Sequence, residues 1–234
     1  METESQIISL SDDHNLSEER FLRNKDLIPQ KKLDDVTVIG AGGIGSALVM
    51  NAAIMGFKHI RIWDHDTLEL HNLSTTTYPT SHLYTSKAMA AKHQAQAYGA
   101  HEVTAHAKPW RPGDELSNKV FMGPDNMEVR RNVYETWKQN PRREFLIDMR
   151  MGALSMEIIT VTKEEDHFMK DWLPSDDIPD ESCTAKHTIF TASVSSGLGL
   201  TQAFKVLSNR PYYAYIWMSL SPISLRRNHL IKNN

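Results

Sequence analysis

Apolar positions along the chain fall into short β-branched runs separated by longer stretches with helical spacing, the alternation expected of strands feeding helices. The first such run, Val36-Thr-Val-Ile39, leads straight into Gly40-Ala-Gly42-Gly-Ile-Gly45 and then into an apolar-spaced helix over 46–56. Residues 60–63 read as a second strand, 103–107 as a third and 118–122 as a short fourth. An Ala-rich helix opens at Thr85-Ser-Lys87 and runs to about Tyr98; Asp125-Asn126 opens another that runs to about Gln139. Residues 145–148 and 157–162 are further buried-strand patterns, 186–207 is a helix with small residues through its middle, and 211–217 is aromatic and strand-like. A short helix over 17–26, capped by Ser17 with acids in its first turn, precedes all of this. The order predicts an α/β fold: a Rossmann-like doubly wound, largely parallel sheet with a C-terminal antiparallel extension. Three parts are expected: a flexible segment over 1–16, one main domain over 17–208, and a strand with a solvated basic tail (Arg226, Arg227, Lys232) over 209–234.

The glycine stretch carries the first chemical signal. A strand that turns this sharply into a helix needs glycine where side chains would clash, and the helix it opens presents unpaired N–H groups and a positive dipole end to a phosphate. Asp64 ends the second strand about 20 residues after the last glycine, where a carboxylate suits a ribose hydroxyl. Gly40, Gly42, Gly45 and Asp64 are therefore candidate nucleotide-binding residues; the alternative is that the glycines only permit close helix packing. The polar stretch from His65 to Tyr78 follows, at the carboxyl end of a strand, where open α/β sheets place their ligands.

Composition narrows the class. A net charge of −3 over 234 residues gives no reason to expect nucleic acid, and 40% hydrophobic with 24% charged residues is ordinary for a globular protein. No apolar run approaches the roughly 18 residues a membrane span needs, and the polar start is no signal peptide, so a cytoplasmic location is expected. The single cysteine, Cys183, excludes an internal disulfide and a Cys-rich zinc site; no zinc is expected.

Taken as an ordered set, Asp64-His-Asp66, Asn72-Leu73, Lys87 and Asp125-Asn126 resemble the ThiF/MoeB/ubiquitin-activating-enzyme superfamily, which adenylates a protein's C-terminal carboxylate. Arg20-Phe-Leu-Arg23 resembles that family's Arg-bearing N-terminal helix, and Gln202-Ala-Phe-Lys205 the helix after its crossover loop. The resemblance covers about residues 18–208 and makes the main domain a ThiF-like adenylation domain. It implies ATP and Mg2+ as cofactors, with Asp64 on the ribose, Asn72, Lys87 and Asn126 among the nucleotide-binding residues, and Asp125 as the magnesium-holding carboxylate. It further implies Arg130 facing the phosphates, Arg23 reaching into a neighbouring subunit of a homodimer, and Cys183 as a candidate acceptor of the activated acyl group. The implied partner is a small ubiquitin-like or sulfur-carrier protein, or a peptide, ending in glycine.

Each assignment has a plainer counterpart. An Asp at a helix start caps it, Lys87 and Arg23 sit in solvent, and a lone cysteine is a buried inert thiol. The chain also departs from the family where an arginine usually follows Asn-Leu: it reads Ser74-Thr75-Thr76, so a γ-phosphate contact is missing or supplied from elsewhere. The departure admits a second function, a non-catalytic partner subunit. A third, an NAD-linked oxidoreductase using the same glycine turn, lacks an evident substrate domain.

Overall fold

The computed structural model describes residues 19–163 and 187–231. Eight strands form a single sheet in the order β3-β2-β1-β4-β5-β6-β7-β8. The strands are β1 (Asp35–Ile39), β2 (His59–Trp63), β3 (Glu102–His106), β4 (Lys119–Met122), β5 (Phe145–Met151), β6 (Ser155–Val161), β7 (Tyr212–Leu220) and β8 (Ile223–Ile231). The first five pair in parallel. The last three add on antiparallel. This is the doubly wound sheet with an antiparallel extension that the hydrophobic pattern predicts.

Helices α1 (Gly43–Met55), α2 (Lys87–Ala97) and α4 (Ile189–Leu207) cover one face, and α3 (Met127–Lys138) covers the other. Under the first face lie Val36, Val38, Ile60, Ile62, Phe121, Ile147 and Ile158. Under α3 lie Ile39, Trp63, Val120, Met122 and Leu146, with Val133 and Trp137 from the helix itself. The central strands β1, β4 and β5 are buried on both sides and read as largely apolar runs, whereas β2 and the edge strand β3 alternate apolar with polar positions. Lys119 shows what a charge costs in that layer: only 3% of its side chain is exposed, and its ammonium is held by Asp34 and by Glu144 at 2.7 Å.

Two expectations change. Only Glu19 and Arg20 are helical among the described residues of the expected 17–26 helix, and residues 21–27 form turns. Arg20 ties this segment down by donating to the carbonyls of Ala53 (2.8 Å) and Gly99 (3.0 Å), just where α1 and α2 end. A guanidinium at two helix C-termini satisfies orphan carbonyls, which local sequence could not reveal. The expected basic tail is the second change: residues 223–231 form β8, paired along β7 from Leu220↔Ile223 to Tyr212↔Ile231. It is solvent-exposed as expected, but it is sheet. Among the described residues no helix is long and apolar enough to cross a membrane.

Candidate functional site

The parallel strands β1, β2 and β4 end together, and the polar residues of interest cluster in the loops just beyond. Strand β1 runs into Gly40, whose φ of +92° is the left-handed conformation that glycine adopts cheaply. A Cβ at Gly45 would lie 2.0 Å from the Gly40 carbonyl oxygen, so only glycine lets α1 start this close to the strand. Gly42 differs: nothing lies within 4 Å of where its Cβ would be, so the turn is open toward the side from which a phosphate would reach the N–H groups of α1. The buried Tyr78 hydroxyl donates to the Ala41 carbonyl at 2.8 Å and braces the turn from beneath.

Asp64 follows β2 directly. Its carboxylate accepts from the Ala41 N–H at 2.6 Å and from the Asp66 N–H at 2.8 Å, which locks it beside the glycine turn. Burial raises its pKa, and those two backbone donors pull the other way. Each oxygen keeps lone-pair capacity for an incoming hydroxyl. Lys87, at the start of α2, is 11% exposed along its side chain and pairs with Asp66 at 2.8 Å, which holds the ammonium at the same mouth. The Asp64, His65 and Asp66 ligand atoms lie within 4.8 Å of one another, although Asp66 is already engaged by Lys87.

Asn72 sits in the 3-10 turn Leu70–Ser74, its side-chain oxygen accepting from the Glu69 N–H at 3.0 Å. Thr75 and Thr76 both donate their hydroxyls to the Asn72 carbonyl, at 3.1 and 3.0 Å. This loop leans on α1: Thr77 N–H donates to the Ser46 hydroxyl at 3.1 Å. On the other side of the turn, a Cβ at Gly40 would lie 3.1 Å from the backbone of Gly123 and Pro124, which brings the exposed Asp125 to the same edge. Asn126 caps α3, accepting from Glu128 N–H at 2.8 Å and Val129 N–H at 3.1 Å.

The loops and helix starts at this edge of the sheet thus carry Gly40, Gly42, Gly45, Asp64, Asn72, Lys87 and Asp125. Two sequence candidates lie elsewhere, and a third lies outside the described residues. Arg130 is buried, and its guanidinium is paired with the fully buried Asp148 of β5 rather than turned toward the loops. Burial, then the nearby Arg150, lowers its pKa to about 9, so it stays charged against Asp148 at neutral pH. Arg23 is exposed on the segment that Arg20 fastens to the far end of α1, a helix that starts at the glycine turn; 13 residues at about 1.5 Å each separate the two ends. Within one chain, therefore, Arg23 and the crevice are at opposite edges of the sheet. Cys183 and the polar connection over 163–182 fall outside the described residues, except for Lys163.

Sequence reading overlooked Asp148, although a signal was there. An acid inside the buried run Phe145-Leu-Ile-Asp148 requires a cationic partner.

Comparison with known proteins fixes the family. The ThiF family pattern matches residues 18–230. The chain belongs to the ThiF family. Relatives include a SUMO-activating enzyme subunit 2 of Dictyostelium discoideum, 36% identical over 106 residues, which are 42% of this chain and 16% of that protein. A NEDD8-activating enzyme E1 catalytic subunit of Caenorhabditis elegans is 35% identical over 102 residues, 41% of this chain and 24% of that one. These alignments take in less than a quarter of either relative's length. Among solved structures, PaaA superposes with a TM-score of 0.76 at 19% identity, covering 99% of this chain and 78% of PaaA. Escherichia coli MccB with MccA superposes at 0.71 and 15% identity, covering 92% and 72%. At those identities the superpositions establish the fold: the mixed sheet and flanking helices are those of ThiF-like Rossmann proteins.

Proposed function

We propose that this ThiF-family chain adenylates the C-terminal carboxylate of a small ubiquitin-like or sulfur-carrier protein, or of a peptide, using ATP. A carboxylate oxygen of the substrate forms a bond to the α-phosphorus, the bond from that phosphorus to the bridging oxygen of pyrophosphate breaks, and no proton is transferred. The observation that carries the reading is Asp64, held by the Ala41 N–H at 2.6 Å against an open glycine turn, with Lys87 fixed at the same mouth by Asp66 at 2.8 Å. That arrangement fits a nucleotide: ribose hydroxyls at Asp64, phosphates at the N-terminus of α1 and at Lys87. Names of similar proteins add support, since SUMO- and NEDD8-activating enzymes act on ubiquitin-like proteins and MccB is paired in crystals with MccA and, separately, with ATP.

Asp125 is exposed and offers the hard oxygen donors a magnesium ion takes, so it would hold Mg2+ there. When bound, the ion would spread the negative charge of the phosphates. A homodimer in which Arg23 completes the partner's crevice accounts for that side chain's place at the opposite edge of its own sheet. Cys183 is proposed as the acceptor of the activated acyl group, and the cytoplasm as the site of action.

ATP–pyrophosphate exchange with candidate Gly-terminated proteins and peptides tests the reading. Exchange with one of them, lost in Asp64→Ala and Lys87→Ala, is the expected result; a chain that neither exchanges nor binds ATP overturns it. One observation favours a second reading, a partner subunit without its own chemistry: the Thr75 and Thr76 hydroxyls are spent on the Asn72 carbonyl, so that stretch offers no charge to the phosphates. Nucleotide binding by the isolated chain separates the two, because a scaffold should show little.

A further inference from the structure

The mouth of the crevice is rich in acid. Asp64, Asp66 and Asp125 all border it, and the cation there, Lys87, is already paired with Asp66. A polyphosphate entering such a site needs further positive charge held in place, because ordering a mobile cation at the moment of reaction forfeits much of its electrostatic benefit. The strand registers identify one. Ile39 pairs with Met122 and Met122 with Asp148, so Arg150, two residues on, lies just past the level at which β1 and β4 end and the glycine turn begins. Two strand spacings of about 4.8 Å set β5 roughly 10 Å from β1, a gap that a long arginine side chain and a polyphosphate tail together bridge.

Arg150 is also oriented in advance. Its Nε donates to Asp148 at 2.8 Å, its Nη1 lies 3.8 Å from Glu157 on the neighbouring strand, and 17% of its side chain is exposed. Asp148 is in turn pinned by Arg130. Met151, the next residue along β5, reaches the first turn of α1: a Cβ at Gly43 would lie 2.8 Å from its Cε. Side chains alternate along β5, so Arg150 shares with Asp148 the opposite face, toward α3, the helix that Asp125 precedes.

We propose that Arg150 contacts the outer phosphates of the bound nucleotide and stabilises departing pyrophosphate, with Asp148 and Glu157 setting its direction. The proposal rests on the adenylation reading for where the nucleotide lies. Its test is calorimetric binding of ATP, pyrophosphate and AMP, with Mg2+, to the full chain and to Arg150→Met, alongside pyrophosphate exchange. Removing a charged donor should weaken ATP and pyrophosphate about tenfold or more while AMP changes little. Arg150→Lys, which keeps the charge without the planar fork, should fall between. If Arg150→Met does not fold, the lysine variant alone carries the test, with the same ATP-over-AMP selectivity expected. Equal loss of ATP and AMP affinity, or unchanged ATP affinity with a raised KM for the carboxylate substrate, overturns the proposal and leaves adenylation standing. A wild-type chain that binds none of the three overturns adenylation itself.

Discussion

The two halves of the sheet obey different rules. In the parallel half, strands run four to seven residues, the central ones are buried on both faces, and charges and hydroxyls set into them are matched, Thr37 with Ser117 and Lys119 with Asp34 and Glu144. In the antiparallel half, β7 and β8 are nine residues each; β8 lies open to solvent with Ile223 at 79% exposure and Leu225 at 56%. The difference follows from the connections. Parallel strands need crossover helices, which cover both faces and bring the carboxyl ends to one edge. A hairpin needs no helix and can leave a face or an edge uncovered. Chemistry therefore collects where parallel strands end, and Arg150 stands at the seam, on the last parallel strand and paired with Glu157 on the first antiparallel one.

Mutations can break this contrast. Arg130→Met would leave the fully buried Asp148 facing Arg150 alone, and breaking a buried pair on one side costs about 3–5 kcal/mol, readable as a large drop in the urea midpoint. Gly45→Ala should cost about 1–3 kcal/mol, since its methyl group would collide with the Gly40 carbonyl, whereas Gly42→Ala should fold almost normally and lose nucleotide affinity. Equal stability losses at the two glycines would mean that the open side of the turn has no functional meaning. At the far edge, Leu225→Thr should change stability by no more than about 0.5 kcal/mol, because an exposed β8 side chain has little burial to lose.

Asp64 offers a subtler test through pH. Burial raises its pKa in the folded chain, so the unfolded chain gives up this proton first as pH rises. The group's favourable contribution is complete below the ordinary carboxylate pKa and disappears as pH climbs through the raised folded value. Relative to Asp64→Asn, the wild type should gain stability as pH falls from neutrality through that window. Paired denaturation curves at several pH values measure it, and a difference that does not vary with pH would mean that Asp64 carries no net burial penalty.

Much of the crevice was legible because its signals are local. The glycine spacing, the acid at the end of β2 and the Asn126 cap each depend on a few consecutive residues whose backbone geometry restricts what can stand there. Arg130 shows the limit of such reading. Its helical position one turn past Asn126 was readable, but whether that face meets phosphates or β5 depends on how α3 packs, and Asp148 lies 18 residues away in the chain. Arg20 is similar, bridging to Ala53 and Gly99, partners 33 and 79 residues off. The edge strand β8 was missed for another reason: Arg226 and Arg227 look like a solvated tail, and only the presence of β7 alongside makes a strand of them.

By itself, then, the order of residues determined the alternation of strands and helices, the glycine turn, and the identity of the side chains that could meet a nucleotide. Tertiary structure alone decided which of them meet. The strand registers set Arg150 just past the ends of β1 and β4, and the packing of α3 turned Arg130 inward to Asp148. The physical reason is one of range: backbone conformation is settled over a few neighbouring residues, whereas the burial of a charge is settled by whichever distant segment can neutralise it.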